Sequence, residues 1–181
     1  AELHFLSLGV QYYTAARSAA LAGLLPVCGN LYHSAFEMLM KARLSQTYTL
    51  RKLSQSPFSH DLQALWNAFK GEFPTAGLDQ FDDMVATLHR FERIRYPDAV
   101  IREGAAMRLT WEGVPGFTRY GPGIEPPPEY QIGVTAIDHL VARIFHICSR
   151  NPAFFTGAMN DYAREAITRD NPACGGWFLG P

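Results

Sequence analysis

The sequence has no surplus of charge of either sign. Across 181 residues, 16 Lys and Arg stand against 17 Asp and Glu, a formal net charge of -1. A chain so balanced has no overall field to draw in nucleic acid or an anionic membrane surface, so any such contact must come from a local patch. Long apolar runs are missing too, none reaching the ~18 residues of a membrane span. The apolar N-terminal stretch is led by Glu2 and His4 and interrupted by Arg17, without the basic start of an export signal. Cysteine is scarce. Cys28, Cys148 and Cys174 are an odd number with no paired spacing, which predicts reduced thiols and a cytoplasmic location. The six histidines (His4, His33, His60, His89, His139 and His146) form no HxxxH or HExxH, and no CxxC accompanies them. Their spacing therefore predicts no metal site, and nothing else in the chain predicts a cofactor. No glycine-rich phosphate cradle follows a predicted strand. Ser59, His60 and Asp61 are adjacent, so they diverge at a helix start and read as capping residues rather than a catalytic set.

What is present is a core. Apolar residues make up 48% of the chain and charged residues only 18%, the balance of one folded domain. Phe5, Leu8, Tyr12, Ala15, Ala16 and Ala19 predict a first helix over 4–23. Gly23 turns into a second, where Leu24, Val27, Leu31, Ala35, Met38 and Ala42 recur at helical spacing and predict the buried face. A third helix starts at Ser59 with Leu62, Leu65, Trp66 and Phe69 inward. A fourth spans about 78–95, with Asp79, Asp82 and Asp83 at its start and Arg90, Arg93 and Arg95 at its end, each matching the helix dipole. Pro97 stops it. Ala99–Arg102 and Met107–Trp111 predict a small hairpin, and the Gly- and Pro-rich stretch 112–130 predicts a loop. Helix returns over 136–149, with Ile137, Leu140, Val141, Ile144, Phe145 and Cys148 inward, and Asn151-Pro152 opens a last helix to about Thr168. The expected fold is all-α: an up-and-down four- to five-helix bundle with a Gly/Pro-rich loop and a small hairpin inserted before two C-terminal helices. It forms a single domain over 1–181, with a helical core 4–96 and an elaboration 98–181.

Two groups of residues could carry function. On the second helix Asn30, His33, Glu37 and Lys41 share a stripe. It reads either as a solvated face holding one i,i+4 ion pair or as the lining of a cleft where a carboxylate and an imidazole share a proton or hold a ligand. At the end of the fourth helix, Arg90, Arg93 and Arg95 with Tyr96 read either as a complement to the dipole or as a phosphate site. Arginine offers phosphate a planar fork, and tyrosine offers a base a stacking surface.

Three segments in order, NLYHSAFEMLMKARL, SHDLQALW and RYPD, resemble the HEPN family, the small helical domains of prokaryotic toxins and of proteins that accompany nucleotidyltransferases. The likeness covers residues 8–98. It implies a four- or five-helix bundle that commonly pairs into a homodimer and often binds or acts on RNA or nucleotides. Together with the composition, the expectation is a cytoplasmic homodimer with RNA, a nucleotide or a partner protein as partner and no membrane, in a toxin–antitoxin or stress-related setting. It places Asn30, Glu37 and Lys41 at the family's cleft and makes His60 a packing and capping histidine, accompanied by Asp61. The nuclease members of the family carry an arginine and a histidine with four to six residues between them. The positions where that arginine would stand are Pro26, Val27 and Cys28 for His33, Leu53, Ser54 and Gln55 for His60, and Asp82, Asp83 and Met84 for His89. His139 and His146 lack it as well. The expectation is therefore a non-enzymatic binding homodimer, with the first and last helices and Trp177 and Phe178 meeting across a two-fold axis. The alternative is a metal-independent endoribonuclease using an arginine and histidine joined by folding, such as Arg95 with His33 or His146.

Overall fold

A computed structural model describes residues 1–111 and 126–175. Most of the Gly/Pro-rich stretch, together with Trp177 and Phe178, lies outside the described residues. The fold is all-α with one small parallel strand pair. Helices α1 (Glu2–Leu21) and α2 (Leu25–Leu44) form an antiparallel hairpin closed at Ala22 and Gly23. Gly23 takes φ +72°, the left-handed turn that glycine adopts without a Cβ clash. Tyr13 and Tyr32 meet on the core side of this hairpin, with ring centroids 6.3 Å apart.

Helix α2 is where the expected face and the observed one differ. Leu24 and Val27 are 53% and 49% exposed, whereas Cys28, Tyr32, Phe36, Leu39 and Met40 are fully buried. Leu31 and Met38 are only half-buried. The helix carries two apolar stripes, and packing chose the one with the larger aromatic content because α1, α4 and α5 crowd it from several sides. Hydrophobic period alone does not rank two such stripes.

A short α3 (Leu50–Leu53) lies between α2 and the next long helix. Helix α4 (Leu62–Glu72) begins three residues later than expected, because Asp61 is its cap and accepts a hydrogen bond from the Ala64 N–H at 2.9 Å. Trp66 and Phe69 are fully buried, worth roughly 2–3 kcal/mol each relative to exposure. The expected fourth helix is a 3-10 turn (Asp79–Phe81), then α5 (Asp82–Arg90), then a second 3-10 segment (Phe91–Ile94). Phe81, Val85, Leu88, Phe91 and Ile94 along it are buried. At Gly29, a Cβ would stand 2.1 Å from Cδ1 of Phe91, so only glycine lets α2 lie this close to the ring.

Pro97 starts a helix as well as ending one. It opens α6 (Pro97–Glu103) at the first helical position, where its missing N–H costs nothing. Ala99–Arg102 is therefore helical, and the hairpin expected there does not form. Strand β1 (Ala106–Thr110) instead pairs in parallel with β2 (Glu129–Gly133), from Ala106 opposite Glu129 to Thr110 opposite Gly133. Helix α7 (Val134–Ile147) buries the expected apolar face. The last helix is broken into α8 (Ala153–Thr156) and α9 (Asp161–Thr168), since the Asn160 side chain caps a fresh start at the Ala163 N–H.

One polar knot ties these C-terminal elements to α1. Arg17 is fully buried, pairs with Asp138 of α7, and donates to the carbonyls of Ala166 and Arg169. Tyr13 donates to Asp138 at 2.6 Å, and Asn171 donates to the Tyr13 hydroxyl at 3.0 Å.

Candidate functional site

The stripe on α2 does not face solvent. His33 is 2% exposed and Glu37 and Lys41 are each 6% exposed, on a helix packed by α4, by α5 with its 3-10 extension, and also by β1 and α7. The Lys41 ammonium lies 2.6 Å from Oε1 of Glu37. This is an i,i+4 pair in the favourable order, but a buried one, so removing one partner costs far more than the few tenths of a kcal/mol of an exposed pair.

The second oxygen of Glu37 is used from outside the helix. His60 sits at φ +61° just before the Asp61 cap, a left-handed conformation uncommon for a residue with a Cβ. Its Nδ1 lies 3.3 Å from Oε2 of Glu37, and its side chain is 61% exposed. An imidazole N–H donating to that carboxylate leaves Nε2 free for a ligand. The backbone acceptor role thus falls to Asp61, and His60 reaches Glu37 instead of capping the helix.

His33 is held from the other side. Its Nδ1 is 3.3 Å from Oε2 of Glu92, and its ring meets that of His89 edge-on at 6.5 Å. Burial pushes its pKa below the ordinary histidine value, with Glu92 and Glu37 opposing the shift. Three buried atoms here, Asn30 Oδ1, His33 Nε2 and His89 Nδ1, find no hydrogen-bond partner among the described residues. Arg95 completes the group, with its guanidinium 3.4 Å from Oε1 of Glu92. The chain Arg95–Glu92–His33 brings near each other the arginine and histidine named for the alternative, endoribonuclease reading, with a carboxylate between the two. His146 is exposed near the end of α7.

The basic group is less concentrated than its spacing implied. Arg93 is bonded to Glu103, and Arg90 to the Thr87 hydroxyl at 3.2 Å. Tyr96 is 66% exposed. Arg95 and Tyr96 thus border the histidine cluster, while Arg93 is engaged elsewhere. Nothing in the sequence singles out His89 and Glu92. Their spacing of three on one helical segment is visible there, but their approach to His33, 56 and 59 residues away, is not. Among the described residues no three His, Cys, Asp or Glu side chains are disposed to hold a metal ion. Nor is any described helix long and apolar enough to cross a membrane. Two concavities, of about 700 and 370 Å³, lie along Trp111 and Thr135, and none of the cluster residues lines them.

Searches against family models, curated proteins and solved structures find no match to this chain.

Proposed function

We propose that the protein is a HEPN-like binding module, a cytoplasmic homodimer of prokaryotic type that takes a phosphate-bearing ligand, a nucleotide or a segment of RNA, at the histidine cluster. The observation that carries this reading is His60. An exposed imidazole, in a left-handed backbone conformation, is tethered to a carboxylate that is itself buried and held by Lys41. Local conformations of this cost concentrate where a side chain must be presented. Around it His89 and Arg95 are 40% and 50% exposed. Among the described residues Arg95 makes a single long contact, to Glu92, so most of its five N–H donors remain available to a phosphate. Tyr96 beside it supplies a stacking surface for a base.

Binding is favoured over cleavage because Glu92 lies between Arg95 and His33, where a transferring phosphate would need the cation and the imidazole to face it directly. The endoribonuclease reading keeps one observation in its favour, the buried Glu37 behind the exposed His60, which is the arrangement of a proton-moving imidazole and its orienting group.

The test is fluorescence anisotropy with a labelled single-stranded RNA oligomer and, separately, a labelled nucleoside triphosphate. Affinity should fall with rising salt. His60→Ala and Arg95→Ala should each weaken it by about tenfold or more. Absence of binding at low salt, or two variants that bind like the parent, would refute the reading. Incubating the protein with RNA without metal separates the second reading: cleavage lost in His60→Ala would replace binding with catalysis.

A further inference from the structure

Strands β1 and β2 end side by side, at Thr110 and Gly133. The two concavities of about 700 and 370 Å³ share Trp111 and Thr135 and so adjoin one another, the smaller one at these strand ends. The larger is walled by residues at and beyond the end of α9, the smaller by Gln80 and Phe81. What sets this crevice apart is the direction of its hydrogen bonds. The hydroxyl protons of Thr110, Thr135 and Thr168 are given to backbone carbonyls, those of Ile132, Trp111 and Arg164. Asn171 spends its amide protons on the Ile167 carbonyl and the Tyr13 hydroxyl. Asp170 can only accept, and its contact with Arg169, at 3.9 Å, is longer than a hydrogen bond. These five side chains therefore keep oxygen lone pairs, and no protons, for anything that enters. Among the described residues no Lys or Arg lines either concavity. Asp170 supplies the formal charge, and His139 at the far wall adds an acceptor when neutral.

We infer that this crevice binds a linear aliphatic di- or polyamine. An ammonium group is the complement of such a lining, since it carries donors alone and the opposite charge to Asp170. A phosphate or carboxylate ligand would set its own lone pairs against those of the walls, with no cation there to offset their desolvation. A saccharide would bring hydroxyl donors, but its oxygens would find no proton on these five side chains. Trp111 decides the rest of the ligand. The Arg17 guanidinium already stands 5.6 Å from its ring centroid, so the place where an aromatic face attracts a cation is taken. What the indole has left to offer is apolar surface, which suits methylene groups. A chain of methylenes crossing Trp111, where the two concavities meet, sets one ammonium beside Asp170 and Thr168 and the other beside Thr110. Both volumes lie within the range of small-molecule sites. This goes beyond the phosphate-bearing ligand proposed above, whose histidine cluster lines neither concavity.

Heteronuclear NMR of the full chain, free of RNA and nucleotide, tests this. Of the chain's three indole N–H signals, the one lost in Trp111→Phe reports the crevice. Putrescine and spermidine should each shift that signal saturably, with dissociation constants below about 1 mM. Butanediol, which keeps the four carbons of putrescine without its charges, should leave the signal in place at about 10 mM. Asp170→Asn should raise both dissociation constants at least about tenfold. The fold should survive that change, because Asp170 is exposed at φ +51° and asparagine accepts a left-handed backbone. The inference is overturned if neither amine gives a saturable shift by about 10 mM. It is equally overturned if butanediol binds as well as putrescine, or if Asp170→Asn binds like the parent. None of these outcomes bears on the histidine cluster, since no phosphate-bearing ligand is present.

Discussion

Two buried polar clusters among the described residues are built on opposite terms. Around Arg17 every charged group is answered: the guanidinium reaches Asp138 and two carbonyls, and Asp138 also accepts from Tyr13, which Asn171 holds in turn. Around His33 the network stays open, with Asn30 Oδ1, His33 Nε2 and His89 Nδ1 lacking hydrogen-bond partners among the described residues and His60 half outside. A fully satisfied network in low dielectric fixes one arrangement of the elements that share it. A partly satisfied one is tolerated where something else is meant to complete it. The first cluster therefore reads as a fastening between α1 and the C-terminal elements, the second as a place of exchange.

The contrast breaks hardest at Arg17. Arg17→Met strands the Asp138 carboxylate, whose pKa burial already pushes up, and should cost about 3–5 kcal/mol in urea unfolding. Adding Asp138→Leu should recover much of the loss, since an ion pair replaced whole by apolar side chains is often near neutral. If the single variant loses less than about 1 kcal/mol, the fastening reading fails.

Glu37→Gln comes next. It keeps an acceptor for Lys41 but removes the countercharge from a buried ammonium, an expected loss of about 1–3 kcal/mol, together with weakened RNA or nucleotide binding. A loss below about 0.5 kcal/mol with unchanged affinity would return the pair to the value of an exposed one.

A smaller effect should appear with pH. Because the folded-state pKa of His33 lies below its unfolded value, the unfolded chain binds the extra proton first. The stability that His33 contributes is therefore fully present above the ordinary histidine value of ~6.5 and is lost as pH falls through it toward the folded pKa. His33→Gln should flatten that part of the unfolding profile between about pH 7 and 5, and an unchanged slope would show that another group titrates.

The smallest change in stability belongs to His60. His60→Ala should shift unfolding by less than about 0.5 kcal/mol while removing most of the ligand affinity. A variant that unfolds much more easily would make His60 part of the fastening instead.

Much of this architecture is legible in the amino-acid sequence alone. The inward residues of α5 and α7 follow helical period, and the charges at both ends of α5 follow the dipole. The face of α2 is not legible, because two apolar stripes compete on one helix and only the neighbours decide between them. The start of α6 is hidden because Pro97, which ends the preceding helical pattern, is equally suited to open a new one. Asn30, His33, Glu37 and Lys41 are recognisable as a stripe because they lie on consecutive turns. Their burial is not, since it depends on the elements that pack against α2. The Arg17–Asp138 pair is the extreme case. The two residues are 121 positions apart, and nothing local distinguishes either from an ordinary surface charge.

The contact between Gly29 and Phe91 acts as a gauge block. His33 stands one helical turn beyond Gly29, and Glu92 follows Phe91 directly, so the 3.3 Å between imidazole and carboxylate is inherited from two residues that carry no charge. A methyl at position 29 would be a shim, lifting the 3-10 segment from α2 and parting His33 from Glu92 without touching either. In a scan scored by ligand affinity, Gly29→Ala should therefore resemble a lesion of the site itself.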